Sequence, residues 1–312
     1  QGVAYSAKEL GIKATIFMPK TTPLIKVNAV RDLKAKVVLV GNNFDDALKE
    51  SKTFCKKNKV NFIHPFDDPL VIAGQGTVGM EISEQFPENL YAVFVAVGGG
   101  GLIAGIGAYL NKVHPNVKII GVEAADSAGL HASVKAGKRI KLKEVGLFAD
   151  GAAAKQIGKN NYELIKNFLD DSITVDTDEI CAAVKDTFLE TRTVPEPTGA
   201  LALAGLKKYI SQKRIKNKNL IATYCGSNLN FESLGHIVER SKIGEKKEII
   251  LSIAIDEKKG SFRKLCRDIG QKNITEFSYR KDGSSKAKIL LGLELQDSKK
   301  SKDIFLKALR NK

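Results

Sequence analysis

The residues with the clearest chemical potential are four consecutive glycines, Gly98, Gly99, Gly100 and Gly101, which follow the apolar run of residues 91–97. Glycine adopts backbone conformations closed to other residues, so a glycine run lets several backbone N–H groups converge on one point. Where such a turn leads from a strand into a helix, these N–H groups and the helix N-terminus favour an anion, most often a phosphate. The stretch therefore predicts a phosphate site.

The glycine run alone leaves the ligand open. Residues 99–104 match the Gly-x-Gly-x-x-Ala pattern of dinucleotide sites, and Glu123 follows near the end of the next strand, where a ribose-binding acid belongs. That pattern normally follows the first strand of its unit, whereas several strand–helix pairs precede it here. A P-loop is excluded because no Gly-Lys-Ser/Thr follows the run. A cofactor with a single phosphate and a tight turn without a ligand both stay open.

Four further segments combine small, polar and acidic residues in patterns that help to identify the ligand. They are AGQGTVGMEI (73–82), FADGAAAKQIG (148–158), EPTGALALAGL (196–206) and CGSNLN (225–230). Together with the glycine run, and in this order, they resemble the fold-type II pyridoxal-phosphate enzymes, and among these the biosynthetic threonine dehydratases. Towards the C-terminus, EKKGSF (257–262) and NITEFSYR (273–280) resemble the ACT-like regulatory domain of the same enzymes.

The resemblance implies a cofactor and the residues that hold it. It implies that Cys225 faces the pyridine nitrogen of pyridoxal 5'-phosphate, at a position that holds Ser, Thr or Cys in the family. A neutral partner does not force a proton onto that nitrogen, so the cofactor is a weaker electron sink, which suits elimination. Glu196 is expected near the cofactor ring. The phosphate is expected to bind Gly98, Gly99, Gly100, Gly101 and Leu102.

Plain structural interpretations compete with these roles. A lone cysteine such as Cys225 is more often a small buried core thiol, and only its neighbours GSNLN favour the site. The small residues at 199–205 predict a helix packed closely against the sheet. Residues 74–77 are expected to shape the cleft and a helix start. Asp150 is expected to be a solvated acid, and Glu123 a strand-end residue near the cleft without a specific role.

The catalytic lysine of the family has no counterpart in this sequence. In the family, a Ser-x-Lys-x-Arg-Gly-type stretch carries the amine that reacts with the cofactor aldehyde, and an Asn-containing segment follows it. Residues 1–11 (QGVAYSAKELG) resemble what comes after that segment, so we expect the lysine motif to lie upstream of Gln1. No catalytic residue is assigned, and the chain is expected to be inactive by itself and truncated at both ends.

For the complete enzyme, the resemblance implies deamination of L-threonine to 2-oxobutanoate and ammonia, the first step toward isoleucine, with L-serine as an alternative substrate. Feedback control through the C-terminal domain is expected, with isoleucine and valine as effectors, as is a homo-oligomer, either a dimer or a tetramer. Two other functions stay open: a non-catalytic amino-acid-binding or regulatory remnant, and a serine dehydratase or serine racemase. The C-terminal domain argues against the second, because those enzymes typically end after the catalytic domain.

The elements that must position these residues alternate between strands and helices. Apolar runs such as residues 35–41, 91–97 and 118–124 alternate with helix-patterned segments, and residues 60–66 (VNFIHPF) predict a further strand. This order predicts an open α/β fold, with mostly parallel sheets covered by helices on both faces. The fold class expected is that of a two-lobed fold-type II enzyme.

The pattern changes near residue 240. Residues 241–248 predict a polar linker, and the strand–helix–strand–strand–helix order that follows is the beginning of a ferredoxin-like α+β module. Its last helix is predicted at residues 300–310. The expected domains are a catalytic domain of residues 1–240, with about 1–66 as the remainder of the small lobe and 67–240 as the large lobe, and an incomplete ACT-like domain of residues 248–312.

Composition argues against several other classes. The net charge of +15 comes mostly from lysines scattered along the chain, whereas a nucleic-acid site gathers arginine, lysine and aromatic residues on one face. The four cysteines form no CxxC pair and the four histidines show no metal-ligand spacing, so neither a disulfide framework nor a metal site is expected. No apolar run reaches membrane-spanning length, and reduced thiols suit the cytoplasm.

Overall fold

The computed structural model describes residues 1–86, 88–245, 247–281 and 285–295. This part of the chain holds a two-stranded parallel sheet, a four-stranded parallel sheet and a three-stranded antiparallel sheet. The predicted α/β fold class with an additional α+β module is confirmed. The helix predicted at residues 300–310 lies outside the described residues. No described helix is both long and apolar enough to cross a membrane.

The N-terminal part pairs two short strands. In β1 (Thr15–Met18) and β2 (Lys36–Leu39) the strands run parallel, with Thr15 opposite Lys36. The sequence predicts a buried strand at 35–41, but β2 is only half-buried, because β1 is its one partner among the described strands. The helices of this part are α1 (Gly2–Glu9), α2 (Leu24–Asp32) and α3 (Phe44–Asn58).

The segment between α3 and the next helix, residues 60–68, is called the connecting segment here. The strand predicted at residues 60–66 is wrong, since these residues form no strand. His64 Nδ1 accepts the N–H groups of Phe66 and Asp67, at 3.3 and 2.9 Å, which folds the chain into a turn. Pro65 has no N–H to offer a neighbouring strand. Helix α4 (Pro69–Gln85) then begins after Asp68, whose carboxylate caps its first turn.

The four-stranded sheet forms the centre of the molecule. Its strands are β3 (Leu90–Ala96), β4 (Lys118–Ala124), β5 (Leu169–Val175) and β6 (Asn219–Ala222), all parallel in the order β5-β4-β3-β6. Alternate residues of β3 point to opposite faces, and both faces are buried: Phe94 lies in one apolar core and Val93 and Val95 lie in the other. Burial on both faces explains why β3 reads as a continuous apolar run.

Helices cover both faces of this sheet. They are α5 (Gly101–Val113), α6 (Gly129–Ala136), α7 (Lys159–Ile165), α8 (Thr177–Thr191), α9 (Pro197–Lys213) and α10 (Ser233–Gly244). Helix α9 packs as its small residues predict: a Cβ built on Gly205 would lie 2.4 Å from a methyl carbon of Val122 in β4. Helix α10 continues to Gly244, so the first half of the predicted linker at residues 241–248 is the end of this helix.

Residues 74–77 have a different role from the predicted one. They lie in the middle of α4, not at its start, and this helix crosses α5 at very short range. A Cβ on Gly105 would lie 2.5 Å from the carbonyl oxygen of Ile72 and from the backbone nitrogen of Gly76. Gly76 therefore serves contact between the two helices, whereas Gly74 of the same motif makes no such close contact.

The C-terminal module is built on an antiparallel sheet. It consists of β7 (Glu248–Asp256), α11 (Ser261–Ile269), β8 (Ile274–Lys281) and β9 (Lys286–Glu294), and β9 lies between the other two strands. The strand–helix–strand–strand order agrees with the sequence prediction. Leu265 and Ile269 of α11 pack against one face of the sheet, together with Ile289 and Leu291 of β9.

Candidate functional site

Two of the predicted motifs meet at one edge of the central sheet. The glycine run follows β3, and the CGSNLN motif follows β6. These strands are neighbours, and their contact continues past the end of β6, where the Thr223 N–H donates to the Phe94 carbonyl at 3.0 Å. Carboxyl ends of parallel strands face the same edge, which is where ligands of open α/β sheets bind.

The glycine run is packed too closely for side chains. A Cβ on Gly99 would lie 2.3 Å from the ring of Phe66, and one on Gly101 would lie 2.8 Å from the carbonyl oxygen of the same residue. On the other side, a Cβ on Gly98 would approach the Ala152 Cα to 2.8 Å. The turn must therefore be built from backbone alone.

Helix α5 starts from this turn. Gly100 precedes it with a φ of 90°, a conformation that favours glycine. The N–H groups of the first helical turn have no partner within the helix. Within the described residues, the N–H groups of Gly98, Gly99 and Gly100 donate to no other residue either. These free donors and the positive end of the helix dipole form a cradle for an anion.

Glu196 and Cys225 are neighbours at the same sheet edge. Glu196 directly precedes α9, is 9% exposed, and donates its N–H to the Gly226 carbonyl at 3.0 Å. The Cys225 thiol lies 3.8 Å from the carbonyl oxygen of Thr198, in the first turn of α9. A Cβ on Gly226 would lie 2.2 Å from Oε1 of Glu196. The structure therefore brings both predicted residues together.

The electrostatics of this pair keep the thiol neutral. Cys225 is an exposed residue, yet the protein atoms packed around its thiol, and secondarily the charge of Glu196, raise the pKa of the thiol to about 11. Burial raises the pKa of Glu196, while the nearby Lys26 ammonium opposes that rise. Oε2 of Glu196 is buried without a hydrogen-bond partner among the described residues.

A short turn at residues 150–152 packs between the glycine run and the start of α9. The backbone of this turn lies against Gly98, as described above, and a Cβ on Gly151 would lie 2.9 Å from Oγ1 of Thr198. The sequence predicts that Asp150 is a solvated acid, but its carboxylate binds the Lys26 ammonium at 2.7 Å. Lys26 also lies 3.9 Å from Oε2 of Glu196. This lysine comes from α2, so the N-terminal part reaches the site.

Glu123 does not face the cleft. Its side chain is buried, and its two oxygens accept the N–H groups of Leu130 and His131, both at 2.7 Å, where α6 begins. Burial raises its pKa to about 7, against the lowering effect of these backbone donors. Glu123 lies near the end of β4, as the sequence predicts, but the ribose-binding interpretation is wrong, because the carboxylate is used up in holding α6.

Sequence reasoning missed two residues that contact the site, Lys26 and Asn161, and a third, Asp67, that binds the start of the helix that carries Asn161. Lys26 is one basic residue among many, and Asp67 and Asn161 lie in segments without a motif. The Asn161 amide donates to the carbonyl oxygens of Phe66 and Gly99, at 2.9 and 2.8 Å. Only the fold reveals these contacts, since each joins positions far apart in the chain. In the part of the chain that the structure describes, no group of three or more His, Cys, Asp or Glu residues could hold a metal.

Known proteins match the chain in two parts. Residues 1–226 match the family described as pyridoxal-phosphate dependent enzyme, and residues 239–312 match that described as the C-terminal regulatory domain of threonine dehydratase. The chain is 45% identical over 307 residues to the biosynthetic L-threonine dehydratase of Burkholderia multivorans, and 50% identical over 300 residues to the mitochondrial threonine dehydratase of Schizosaccharomyces pombe. These alignments cover 97% and 95% of this chain but only 61% and 50% of the two relatives.

A solved structure agrees with the sequence matches. The processed form of threonine deaminase isoform 2 from Solanum lycopersicum is similar with a TM-score of 0.75 and 42% identity, covering 78% of this chain and 67% of that one. The fold, the glycine cradle and the two matched segments lead to one assignment. The chain belongs to the pyridoxal-phosphate-dependent enzymes, and within them to the group with a threonine dehydratase regulatory domain.

Proposed function

We propose that the site at the end of β3 and β6 binds pyridoxal 5'-phosphate, and that the protein to which this chain belongs deaminates L-threonine to 2-oxobutanoate and ammonia. The observation that carries the proposal is the meeting of a backbone anion cradle with a neutral thiol at one sheet edge. The threonine dehydratases and threonine deaminase that resemble the chain support the choice of substrate.

The residues of the site fit the proposed cofactor. The free N–H groups of the glycine run, with that of Leu102 in the first turn of α5, suit a phosphate dianion. A thiol whose pKa is about 11 carries no charge at neutral pH, so Cys225 suits the pyridine nitrogen without forcing a proton onto it. Glu196 would lie beside the ring. When bound, the cofactor supplies an electron sink for the charge that develops at the substrate α-carbon.

Proton removal from the substrate needs a base, and none of the lysines in this chain lies in the motif that carries the family's lysine. We therefore propose that this lysine is supplied by sequence outside the 312 residues, consistent with a chain that spans 61% and 50% of the curated relatives. The 312-residue chain itself is expected to bind cofactor phosphate without turning over L-threonine.

Binding should be tested with a probe that cannot react with surface lysines. Pyridoxine 5'-phosphate carries the ring and the phosphate but no aldehyde, and pyridoxine is its matched control without the phosphate. Titration calorimetry on the 312-residue chain is expected to show at least tenfold tighter binding of the phosphorylated compound, because the cradle recognises the anion. Equal affinity for the two compounds, or no binding of either, would contradict the proposed site.

We also propose isoleucine and valine as effectors of the C-terminal module, a homo-oligomer that is a dimer or a tetramer, and a cytoplasmic location. The match of residues 239–312 to a regulatory domain supports the first, and the four free cysteines suit the last. Titration with L-isoleucine and L-valine tests the effectors. Effector binding without any binding of pyridoxine 5'-phosphate would favour a non-catalytic regulatory protein instead.

A further inference from the structure

Asn161 stands out among the residues that surround the glycine run. It lies in the first turn of α7 and is fully buried, and its side-chain nitrogen donates to two backbone carbonyls from different parts of the chain, those of Phe66 and Gly99. Its Oδ1 atom is buried without a hydrogen-bond partner among the described residues. Burying an amide whose oxygen has no hydrogen-bond partner costs free energy of folding. We therefore ask what the two bonds that its nitrogen donates contribute.

The first of these bonds fixes a peptide unit of the cradle. The carbonyl oxygen of Gly99 accepts the Asn161 amide at 2.8 Å and the Gly158 N–H at 3.0 Å. In a trans peptide the carbonyl and the N–H point in opposite directions, so holding this oxygen also holds the Gly100 N–H, directed away from Asn161. Between two glycines the peptide plane would otherwise turn at little cost.

The second bond ties the connecting segment to the same point. The Asp67 carboxylate accepts the N–H groups of Lys159 and Asn161, at 2.8 and 3.2 Å, and so caps α7. The preceding Phe66 gives its carbonyl oxygen to Asn161 and lays its ring against Gly99. Asn161 therefore sits between the cradle and the segment that leads from the N-terminal part to α4.

We propose that Asn161 is a positioning residue, which orients the Gly99–Gly100 peptide toward the cofactor phosphate and locks the connecting segment against the cradle. This inference rests on the proposed function, because it presumes that the cradle receives a phosphate. Asn161 itself does not contact the phosphate. It acts through the carbonyl oxygen of Gly99.

The test compares Asn161→Leu with a matched control. Leucine has nearly the shape of asparagine but no donor, so the Gly99 peptide loses one of its two anchors. The affinity for pyridoxine 5'-phosphate is expected to fall about tenfold, while that for pyridoxine stays unchanged. Asn167→Leu removes a similar bond, from the exposed Asn167 to the Glu163 carbonyl at 2.9 Å, and should leave both affinities unchanged.

A second variant covers the case in which leucine at this position prevents folding. Asn161→Thr keeps one donor, enough for one of the two carbonyls, and should give an intermediate affinity for pyridoxine 5'-phosphate. Amide hydrogen exchange of the glycine run, followed by mass spectrometry, should be faster in both variants than in the wild-type chain. Wild-type phosphate affinity and exchange in a folded Asn161 variant would overturn the positioning role and leave the proposed function intact. A wild-type chain that binds neither compound would overturn both.

Discussion

At the scale of single residues, the site depends on the charge states of Cys225 and Glu196. A thiolate is the reactive form of cysteine, and its share at a given pH falls as the pKa rises. Because the pKa of Cys225 is raised to about 11, we expect this thiol to react with iodoacetamide at least tenfold more slowly at pH 8 than the exposed Cys266 of α11. Peptide mass spectrometry of the alkylated chain measures both rates in one sample.

Replacing the neighbouring carboxylate provides the control for this prediction. Burial is the main cause of the raised pKa of Cys225, and Glu196→Gln removes the charge that adds to it, so the alkylation rate of Cys225 should increase and that of Cys266 should not change. Equal rates at the two cysteines in the wild-type chain would show that Cys225 is not held neutral, and would remove it as the partner of the pyridine nitrogen.

Glu123 gives the chain a pH-dependent stability. Its pKa in the folded chain is about 7, above the ordinary glutamate value of about 4.3, because burial favours the neutral carboxyl group. Its contribution to folding is therefore fully present below about pH 4 and is lost as pH rises through about 7. The test measures the free energy of unfolding by urea for wild type and for Glu123→Gln. Between about pH 5 and pH 8, the value for wild type should fall relative to that for the variant by at most about 3 kcal/mol.

The slope, not the absolute stability, decides this prediction, since glutamine can accept only one of the two N–H groups that Glu123 accepts. Glu163→Gln, at an exposed position of α7, is the control and should keep the wild-type slope. A Glu123→Gln chain whose stability depends on pH as wild type does would mean that the two N–H bonds fully offset the burial of the charge.

At the scale of elements, the sequence predicts what local periodicity controls and misses what distant contacts control. The apolar run of β3 and the small residues of α9 predict their own positions, because burial on both faces and close packing leave direct marks on residue type. Residues 60–66 have the composition of a strand, but His64 captures two N–H groups and turns the chain. Glu123 matches the position of a ribose-binding acid, yet its partners in α6 are visible only once the fold brings them together.

The glycines of α4 and α5 allow a test of helix contact. Gly105→Ala would place a methyl group 2.5 Å from the backbone of α4, which must move away, so we expect a loss of about 1–3 kcal/mol in the free energy of unfolding. Gly74→Ala is the matched control: apart from the backbone of α4 itself, no atom lies within 4 Å of a Cβ there, and alanine favours the helix by up to about 1 kcal/mol. Chemical denaturation of both variants should shift the midpoints in opposite directions.

At the scale of the whole molecule, the site is assembled from contributions that no single segment contains. The glycine run, the turn at residues 150–152 and the start of α9 all belong to the part of the chain built around the central parallel sheet, whereas Lys26 reaches the site from the N-terminal part. The motifs that follow the strands of this sheet could be predicted because their chemistry depends on glycine, cysteine and glutamate residues at recognisable positions in the sequence. Lys26 could not, since its role depends on where α2 lies and not on its neighbours in the sequence.

Lys26 should therefore be a stabilising link between these two parts of the molecule. Its ammonium lies 2.7 Å from Asp150 and 3.9 Å from Glu196, so it is shared by two carboxylates. Lys26→Met leaves both carboxylates without their cation and should lower the free energy of unfolding by about 1–2 kcal/mol. Asp150→Asn keeps Lys26 beside Glu196. It should lower the free energy of unfolding by less than about 1 kcal/mol, because the pair of Lys26 and Asp150 is partly exposed. Lys141→Met, in an exposed pair with Asp45, should have almost no effect. Urea unfolding at low and high NaCl concentration measures these differences in stability, which should become smaller as the salt concentration rises. Equal effects of Lys26→Met and Lys141→Met would mean that the link through Lys26 contributes no more than a surface ion pair.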